Sequence, residues 1–331
     1  MKSLLLPPLS ALYGAVTRTR LSLYQRGTFH TTRLERPVIS VGNITVGGTG
    51  KTPLVEWVAK TLAANGRRVC ILTRGYKREN PRTEVIVSDG HAILATPVEA
   101  GDEPYLLASN LLGSAAVISN ADRISAGRYA IETFGTECFV LDDGFQHLRL
   151  ARDLDIVTID ATNPWGGGRL LPYGRLREPI AALRRADCVV LTRCDQAAEI
   201  DALSTTVRDL VRGRPVFQST MRAVRSPKVE GPVAAFCAVG NSQSFFDQVR
   251  SSGYELVFER AFTDHHWYTQ NDLQEVERRA LEAGATALIT TAKDAVKLRS
   301  LTFSLPWHVL EVEISIQNET ELKNLIKTAV G

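Results

Sequence analysis

Short hydrophobic runs recur along the first two thirds of the chain, and most are separated by stretches whose apolar residues follow helical spacing. The runs predicted as strands cover residues 38–41, 68–73, 115–119, 138–141, 154–159, 188–192 and 216–219. Because strands alternate with helices, the pattern predicts an α/β fold with a doubly wound, mostly parallel sheet. Residues 84–96 are predicted to form a hairpin with Asp89 and Gly90 at its tip. Such sheets bind ligands at the carboxyl ends of their strands, where the polar clusters of this chain fall.

A second, shorter series of hydrophobic runs follows at residues 233–239, 254–258, 287–290 and 308–312. This series predicts a smaller α/β domain. The basic, proline-containing segment 223–232 separates the two series and is predicted to be a linker. We therefore expect an N-terminal segment (1–34), a main domain (35–222), the linker, and a second domain (233–331) whose last residues are free to return to the first. With 331 residues, the chain is long enough for two ordinary domains.

The first 34 residues carry basic but no acidic side chains. Apolar residues repeat there at helical spacing, at Leu9, Leu12, Tyr13 and Val16. Pro7 and Pro8 interrupt the apolar stretch, which is too short to span a bilayer, and no small-residue cleavage site of a signal peptide follows. The segment favours an amphipathic helix lying on a membrane surface, with its cationic side toward anionic lipid. The alternative is a first helix that packs on the domain.

Composition narrows the class of protein further. An apolar content of 44% and a charged content of 23% are typical of a globular protein. A net charge of +3 is too small to indicate a nucleic-acid partner by itself, and we expect none. The five cysteines form no C-x-x-C pair, and four lie in hydrophobic runs, at Cys70, Cys138, Cys188 and Cys237, whereas Cys194 does not. They are expected to be buried, reduced thiols rather than disulfides or zinc ligands.

Residues 38–52, VISVGNITVGGTGKT, have the layout of a phosphate-binding loop between a strand and a helix. Glycines let successive backbone N–H groups converge on phosphate, the lysine reaches the β- and γ-phosphates, and the threonine hydroxyl is a magnesium ligand. The candidate nucleotide contacts are Thr45, Val46, Gly47, Gly48, Thr49, Gly50, Lys51 and Thr52. Thr45 stands where the strict motif has glycine, and the alternative is a glycine-rich turn without a ligand. The loop predicts a P-loop NTPase-like fold.

Two acidic pairs could carry chemistry. Asp142 and Asp143 end a hydrophobic run, where enzymes that use nucleoside triphosphates need a carboxylate near Mg²⁺. A simple turn is the alternative. Asp102 and Glu103 open a helical pattern, and acidic residues are favoured there as caps. A kinase that phosphorylates a hydroxyl also needs a carboxylate to accept its proton, and Asp102 suits both roles.

Residues 264–268, DHHWY, form a dense histidine cluster in the predicted second domain. A metal site would need a third ligand at a recognisable spacing, which the sequence lacks. An imidazole that polarises a catalytic carboxylate is the favoured interpretation. It requires the second domain to close over the first.

Two basic stretches have less specific signals. Arg169, Arg175 and Arg177 lie on a loop rich in Gly and Pro. Guanidinium groups there suit phosphate recognition or the stabilisation of transition-state charge, and the alternative is a solvated basic loop.

Residues 192–195, TRCD, lie where guanine-nucleotide proteins place an Asn/Thr-Lys-x-Asp motif that reads the base. With arginine in place of lysine the match is weak, and adenine or guanine remains open.

Taken together, eight motifs make the chain resemble the tetraacyldisaccharide 4'-kinases over almost its whole length. In order they are VGNITVGGTGKTP (41–53), LTRGY (72–76), GDEP (101–104), NADR (120–123), LDDGFQH (141–147), LLPYGRLREP (170–179), DHHWY (264–268) and TTAKD (290–294). The resemblance implies an ATP- and Mg²⁺-dependent kinase that phosphorylates the 4'-hydroxyl of a lipid A precursor. It also implies two α/β domains hinged about a cleft, with 35–222 as the kinase domain, and peripheral association with the cytosolic face of the bacterial inner membrane. We expect a monomer.

The resemblance also implies roles for individual residues. Asp102 is the expected base and His265 its partner, while Lys51 and Arg177 act on the phosphates. The expected metal region consists of Thr52, Glu103, Asp142 and Asp143. The expected substrate contacts are Arg74, Arg123, Gln146 and Arg169. The rival hypothesis is a membrane-docked P-loop GTPase or ATPase switch without a phosphorylated acceptor, which has no reason to bring Asp102 and His265 within hydrogen-bond reach.

Overall fold

The computed structural model describes residues 2–76, 78–225 and 227–331. Lys77, which follows the LTRGY motif, and Ser226, in the predicted linker, lie outside the described residues. The strands are β1 (Val38–Asn43), β2 (Val69–Thr73), β3 (Val85–Ser88), β4 (Ala115–Ser119), β5 (Cys138–Asp142), β6 (Leu154–Asp160), β7 (Cys188–Thr192), β8 (Val216–Arg225), β9 (Val233–Cys237), β10 (Leu256–Ala261), β11 (Ala287–Thr291) and β12 (Trp307–Ile316). The helices are α1 (Lys2–Gln25), α2 (Lys51–Ala64), α3 (Pro97–Ala100), α4 (Asp102–Asn110), α5 (Arg123–Phe134), α6 (Ile200–Leu210), α7 (Ser242–Ser251), α8 (Gln270–Glu282), α9 (Ala292–Ala295) and α10 (Glu319–Val330).

The strands form one sheet in the order β10-β9-β11-β12-β8-β7-β6-β1-β5-β2-β4-β3. Neighbouring strands are parallel except at two places, where β12 pairs with β8 and β3 pairs with β4. The strands β1, β2, β5, β6 and β7 are buried along their whole length. Continuous apolar runs suit this position because helices cover both faces of a parallel sheet. The predicted doubly wound, mostly parallel α/β sheet is confirmed.

The register of β1 and β5 positions the site. Val41 on β1 lies opposite Asp142 on β5, so the phosphate loop and the acidic pair leave neighbouring strands at the same edge of the sheet. On the other side of β1, Asn43 lies opposite Thr158 of β6. The carboxyl ends of the central strands therefore bring the predicted nucleotide and metal residues together.

The two series of strands meet at the β8–β12 pair. The antiparallel ladder runs from Ser219 opposite Ile316 to Arg225 opposite Glu311, so the first residues of the predicted linker belong to β8. The helix α10 then buries Leu322 and Ile326 in the same hydrophobic cluster as residues of α2. The end of the chain therefore packs on the first series of strands.

The segment predicted as a hairpin is only partly one. Its first arm is β3, which pairs with β4, and its tip is a turn in which Asp89 Oδ1 accepts hydrogen bonds from two backbone N–H groups. The second arm contributes a single bridge, Ser88 to Ile93, and is not a strand. The chain then enters α3, which Thr96 caps together with Glu99. The hairpin prediction failed there because the capping box competes with a second strand.

The N-terminal helix has a packed side and an exposed side. Ser10 Oγ donates a hydrogen bond to the Leu170 carbonyl at 2.8 Å, and the Tyr13 hydroxyl donates one to the Arg177 carbonyl at 3.0 Å. Leu9, Leu12 and Val16 are 49%, 61% and 58% exposed. No helix among the described residues is both long enough and apolar enough to cross a membrane. All five cysteines are buried and unpaired, as the sequence predicted.

Candidate active site

The loop between β1 and α2 has glycines at two positions where the backbone conformation is unfavourable for other residues. Gly47 and Gly50 have φ values of +111° and +78°, in the region that favours glycine, and α2 begins immediately afterwards at Lys51. Val46 to Thr52 line a cleft, whereas Thr45 is buried behind the loop and bridges to Leu176. Thr45, which departs from the strict motif, therefore joins the phosphate loop to the segment around Leu176.

Hydrogen bonds hold the loop from below. Asn43 Nδ2 donates to Thr49 Oγ1 at 2.9 Å, and that hydroxyl lies 2.8 Å from the Thr158 hydroxyl on β6. The Thr192 hydroxyl at the end of β7 donates to the Thr49 carbonyl at 3.0 Å. Three neighbouring strands thereby set the loop conformation.

Asp143 is the anchor of the basic side chains around the loop. Arg177 Nη1 lies 2.8 and 2.6 Å from its two carboxylate oxygens, and Lys51 Nζ lies 3.5 Å from Oδ1. Burial opposes ionisation, but Lys51 and Arg177 outweigh it and hold the pKa of Asp143 well below its usual range. The φ of Asp143 is +54°, a conformation that a non-glycine residue rarely adopts and that is frequent at functional sites.

Asp142 is in the opposite electrostatic state. The Thr73 hydroxyl donates a hydrogen bond to Asp142 Oδ2 at 2.9 Å. Burial, together with the neighbouring carboxylates of Glu103 and Asp143, raises the pKa of Asp142 to about 6. A divalent cation among these oxygens would relieve that repulsion, and oxygen donors are the ligands that Mg²⁺ prefers. Thr52, Glu103 and Asp142 all line the cleft and carry oxygen donors of the kind that Mg²⁺ prefers.

Asp102 and His265 meet across the cleft. His265 Nδ1 lies 3.0 and 2.9 Å from the two oxygens of Asp102, although 163 residues separate them. Asp102 opens α4 after Gly101, whose φ is +93°, and His265 itself has a φ of +61°. Burial disfavours the charged form of Asp102, but the hydrogen bond from His265 and the charge of Lys293 outweigh it and lower the pKa of Asp102. The result is a buried carboxylate that stays ionised.

The adjacent histidine has a different environment. His266 Nε2 lies 3.1 Å from Asp272 at the start of α8, and its ring stacks on Phe262 with centroids 4.8 Å apart. His265, not His266, therefore faces Asp102.

Sequence reasoning missed Lys293, which lines the cleft between the two series of strands. Its Nζ lies 2.9 Å from Glu103 Oε1, 3.2 Å from Asp264 Oδ1 and 3.4 Å from His265 Nε2. Burial acts against its charge, yet the neighbouring carboxylates raise the pKa of Lys293 above its usual range. The TTAKD motif was the available signal, but the role of its lysine depends on contacts with residues far away in the sequence.

The predicted substrate contacts separate into two groups. Arg74, Arg123 and Gln146 line the cleft, which has a volume of 1110 Å³ and walls from both series of strands. Burial lowers the pKa of Arg123 to about 10. Arg169 does not join them, because it is exposed and its guanidinium lies 4.5 Å from the Tyr173 ring centroid.

The TRCD stretch is engaged elsewhere. Arg193 Nη1 lies 2.7 Å from Asp160 Oδ2 and donates to the Gly48 carbonyl at 2.9 Å, while Asp195 is exposed. The arginine thus supports the phosphate loop. Arg193 lines the cleft, whereas Asp195, the residue that would read a guanine base, is exposed and does not line it.

The doubly wound sheet, the glycine-lined loop that opens α2 and the acidic residues beside it define a P-loop protein of the kinase class. A family model described as tetraacyldisaccharide-1-P 4'-kinase matches residues 2–331. A tetraacyldisaccharide 4'-kinase of Desulfotalea psychrophila is 39% identical over 335 residues, which cover 98% of this chain and 96% of that protein. One from Geobacter sulfurreducens is 42% identical over 315 residues, covering 92% and 87%.

A solved structure extends the similarity to three dimensions. The crystal structure of LpxK from Aquifex aeolicus in complex with ATP matches with a TM-score of 0.80 and 34% identity, and the match covers 100% of both chains. The chain belongs to the tetraacyldisaccharide-1-P 4'-kinase family. It is accordingly an enzyme, a phosphotransferase.

Proposed function

We propose that this chain transfers the terminal phosphoryl group of ATP to the 4'-hydroxyl of a tetraacyldisaccharide 1-phosphate, a lipid A precursor. The observation that carries the proposal is the Asp102–His265 pair, held at 2.9 Å across the cleft that the phosphate loop lines. A base is needed where a hydroxyl is phosphorylated. A protein that only binds and hydrolyses nucleotide gains nothing from assembling one from two distant segments.

In this proposal each cleft residue has a distinct role. Asp102 accepts the proton of the acceptor hydroxyl, and His265 orients it. Lys51 and Arg177 stabilise negative charge on the transferring group, which is the largest contribution a protein makes to phosphoryl transfer. Thr52, Glu103 and Asp142 would hold Mg²⁺, which when bound neutralises charge on the phosphates.

The acceptor side of the cleft is basic. Arg74 and Arg123 line it together with Gln146, whose Nε2 donates to the Asn43 carbonyl at 2.9 Å. We assign these three residues to the polar headgroup, since guanidinium groups match phosphate. Arg169 lies outside the cleft, so we leave it out of this set.

Access to the base supports a hinged enzyme. Asp102 has a side-chain exposure of only 4%, so an acceptor hydroxyl would reach it only after the cleft opens further. We propose that residues 35–222 and 233–331 move as two domains about the 223–232 segment. The basis for this proposal is that the two series of strands join at a single antiparallel pair, β8 with β12.

We further propose that the enzyme is a monomer attached peripherally to the cytosolic face of the bacterial inner membrane. Leu9, Leu12 and Val16 on α1 would enter the lipid surface, and nearby arginines would face anionic headgroups. The packed side of α1 hydrogen-bonds to the carbonyl of Arg177. The membrane-facing helix is therefore adjacent to the cleft that takes the acceptor.

The decisive experiment follows ³²P from labelled ATP into the lipid disaccharide and, in parallel, into a soluble sugar analogue. We expect labelled lipid, and we expect Lys51→Ala to abolish the labelling while the variant remains folded. The rival switch predicts release of inorganic phosphate with no labelled acceptor, and that result would overturn the proposal. The engagement of Arg193 with Asp160 and Gly48 already disfavours the base reader on which the rival depends.

A further inference from the structure

A basic segment from the second series of strands lies against the start of α4. It covers α9 and the residues just after it, and its cations at 293, 297 and 299 each approach the helix that carries Asp102. Lys293 pairs with Glu103 at 2.9 Å, and Lys297 Nζ lies 3.8 Å from Asp102 Oδ2. Arg299 bonds the Tyr105 hydroxyl at 2.5 Å. Three contacts with the first turn of α4 thus join the two sides of the cleft.

The ammonium of Lys293 places a chemical constraint on His265. An ammonium has three donors and no acceptor, so a ring nitrogen that faces it must be the unprotonated one. Lys293 Nζ lies 3.4 Å from His265 Nε2, and its side chain is only 14% exposed. The ring proton must therefore be on Nδ1, which points at Asp102.

The other protonation states of His265 fit the geometry poorly. A proton on Nε2 would point toward the ammonium, and the carboxylate oxygen of Asp264 that approaches Nε2 among the described residues is 3.8 Å away, beyond hydrogen-bond distance. A doubly protonated ring would also place two positive charges 3.4 Å apart. The Tyr76 ring contacts the imidazole by its edge, with centroids 5.4 Å apart.

We propose that Lys293 is a positioning residue that keeps Nε2 of His265 unprotonated, so that the ring carries a single proton, on Nδ1. His265 then donates its single ring proton to Asp102. That hydrogen bond aims the carboxylate while leaving it charged and free to accept the proton of the acceptor hydroxyl. The catalytic consequence rests on the proposed role of Asp102 as base, but the tautomer does not.

The tautomer can be observed directly by ¹⁵N NMR of the histidine side chains in the full-length protein. The chain has 6 histidines, and the spectrum of His265→Gln identifies the signals of His265 by their loss. We expect an unprotonated Nε2 and a protonated Nδ1 in the wild-type protein. A proton on Nε2, in either the other neutral tautomer or the doubly protonated ring, overturns the proposal without any variant of Lys293.

Substitutions then test whether Lys293 is the cause. Lys293→Met keeps the length of the side chain and removes its donors and its charge, so we expect a proton to appear on Nε2 while Nδ1 keeps its hydrogen bond to Asp102. In Lys293→Arg, which also carries a donor-only cation, Nε2 should stay unprotonated. Glu103→Gln removes the negative charge that pairs with Lys293 but leaves the ammonium of Lys293 in place, so Nε2 of His265 should stay unprotonated. An unchanged His265 spectrum in a folded Lys293→Met protein overturns the assignment.

Kinetics provide an independent readout. We expect Lys293→Met to lower kcat by roughly 10- to 100-fold, less than the total contribution of a general base, with little change in the KM for ATP. Lys327→Met, on the exposed side of α10, is the matched control and should leave kcat unchanged. A proton on Nε2 in Lys293→Met together with wild-type kcat would overturn the positioning role. Absent transfer in the wild-type protein would instead count against the proposed function and leave the tautomer result standing.

Discussion

If Asp102 and His265 work as one unit, removing both should cost little more than removing Asp102 alone. Asp102→Asn keeps the shape of the side chain but removes the base. Loss of a general base lowers kcat by about 100- to 10,000-fold. His265→Ala removes a 2.9 Å hydrogen bond to a charged acceptor. Bonds of that kind contribute about 1.5–3 kcal/mol, or roughly 10- to 150-fold in rate.

The double variant distinguishes coupled from independent roles. With independent roles, the losses multiply, to roughly 1,000-fold at the least and about a million-fold at the most. With coupled roles, the double variant should lie within a few-fold of Asp102→Asn. The measurement is initial-rate transfer of ³²P to the lipid disaccharide at saturating ATP, for the wild-type protein and the three variants. Multiplicative losses would refute the pairing.

The neighbouring histidine offers a matched control. His266 bonds Asp272 and stacks on Phe262, so His266→Ala removes a similar ring from the same loop without touching Asp102. Its kcat should stay within a few-fold of the wild-type value. A loss as large as that of His265→Ala would mean that disturbance of the loop, and not loss of the hydrogen bond, explains the effect.

Three further predictions concern acid stability, closure and the membrane. Burial and nearby arginines lower the pKa of His147 to about 4 from its usual value of about 6.5. Between these pH values only the unfolded chain binds the proton, so stability falls as pH falls. His147→Gln should therefore lose less stability than wild type in urea unfolding on going from pH 7 to pH 5, by up to about 2 kcal/mol, and an equal loss would contradict this. A Cβ on Gly240 would lie 2.4 Å from the Gly48 nitrogen of the phosphate loop. Gly240→Ala should therefore lower the free energy of unfolding by about 1–3 kcal/mol. Unchanged stability would mean that the loop of Gly240 does not contact the phosphate loop in solution. Replacing Leu12 and Val16 with glutamate should weaken cosedimentation with anionic vesicles by at least about tenfold. Phosphorylation of a soluble sugar analogue should stay intact. Undiminished cosedimentation would show that α1 does not attach the protein to the membrane.

Local patterns carried much of the fold. Continuous apolar runs predicted β1, β5 and β7 correctly, because a strand buried on both faces needs apolar residues along its whole length. The prediction was weaker at β3, where a helix cap replaced the return arm of a hairpin. It was also weaker at β8, whose end extends into the predicted linker because β12 supplies an antiparallel partner.

The amino-acid sequence by itself determined the class of this protein, since the phosphate loop, the acidic strand end and the order of eight motifs depend on neighbours along the chain. Only the tertiary structure decided how the cleft is assembled. It placed His265 rather than His266 on Asp102, brought Lys293 against both sides, and left Arg169 outside. The physical reason is that these outcomes depend on backbone direction, such as the positive φ of His265, and on contacts between residues far apart in sequence. The hydrophobic periodicity of a sequence predicts neither the backbone direction at a single residue nor contacts between distant segments.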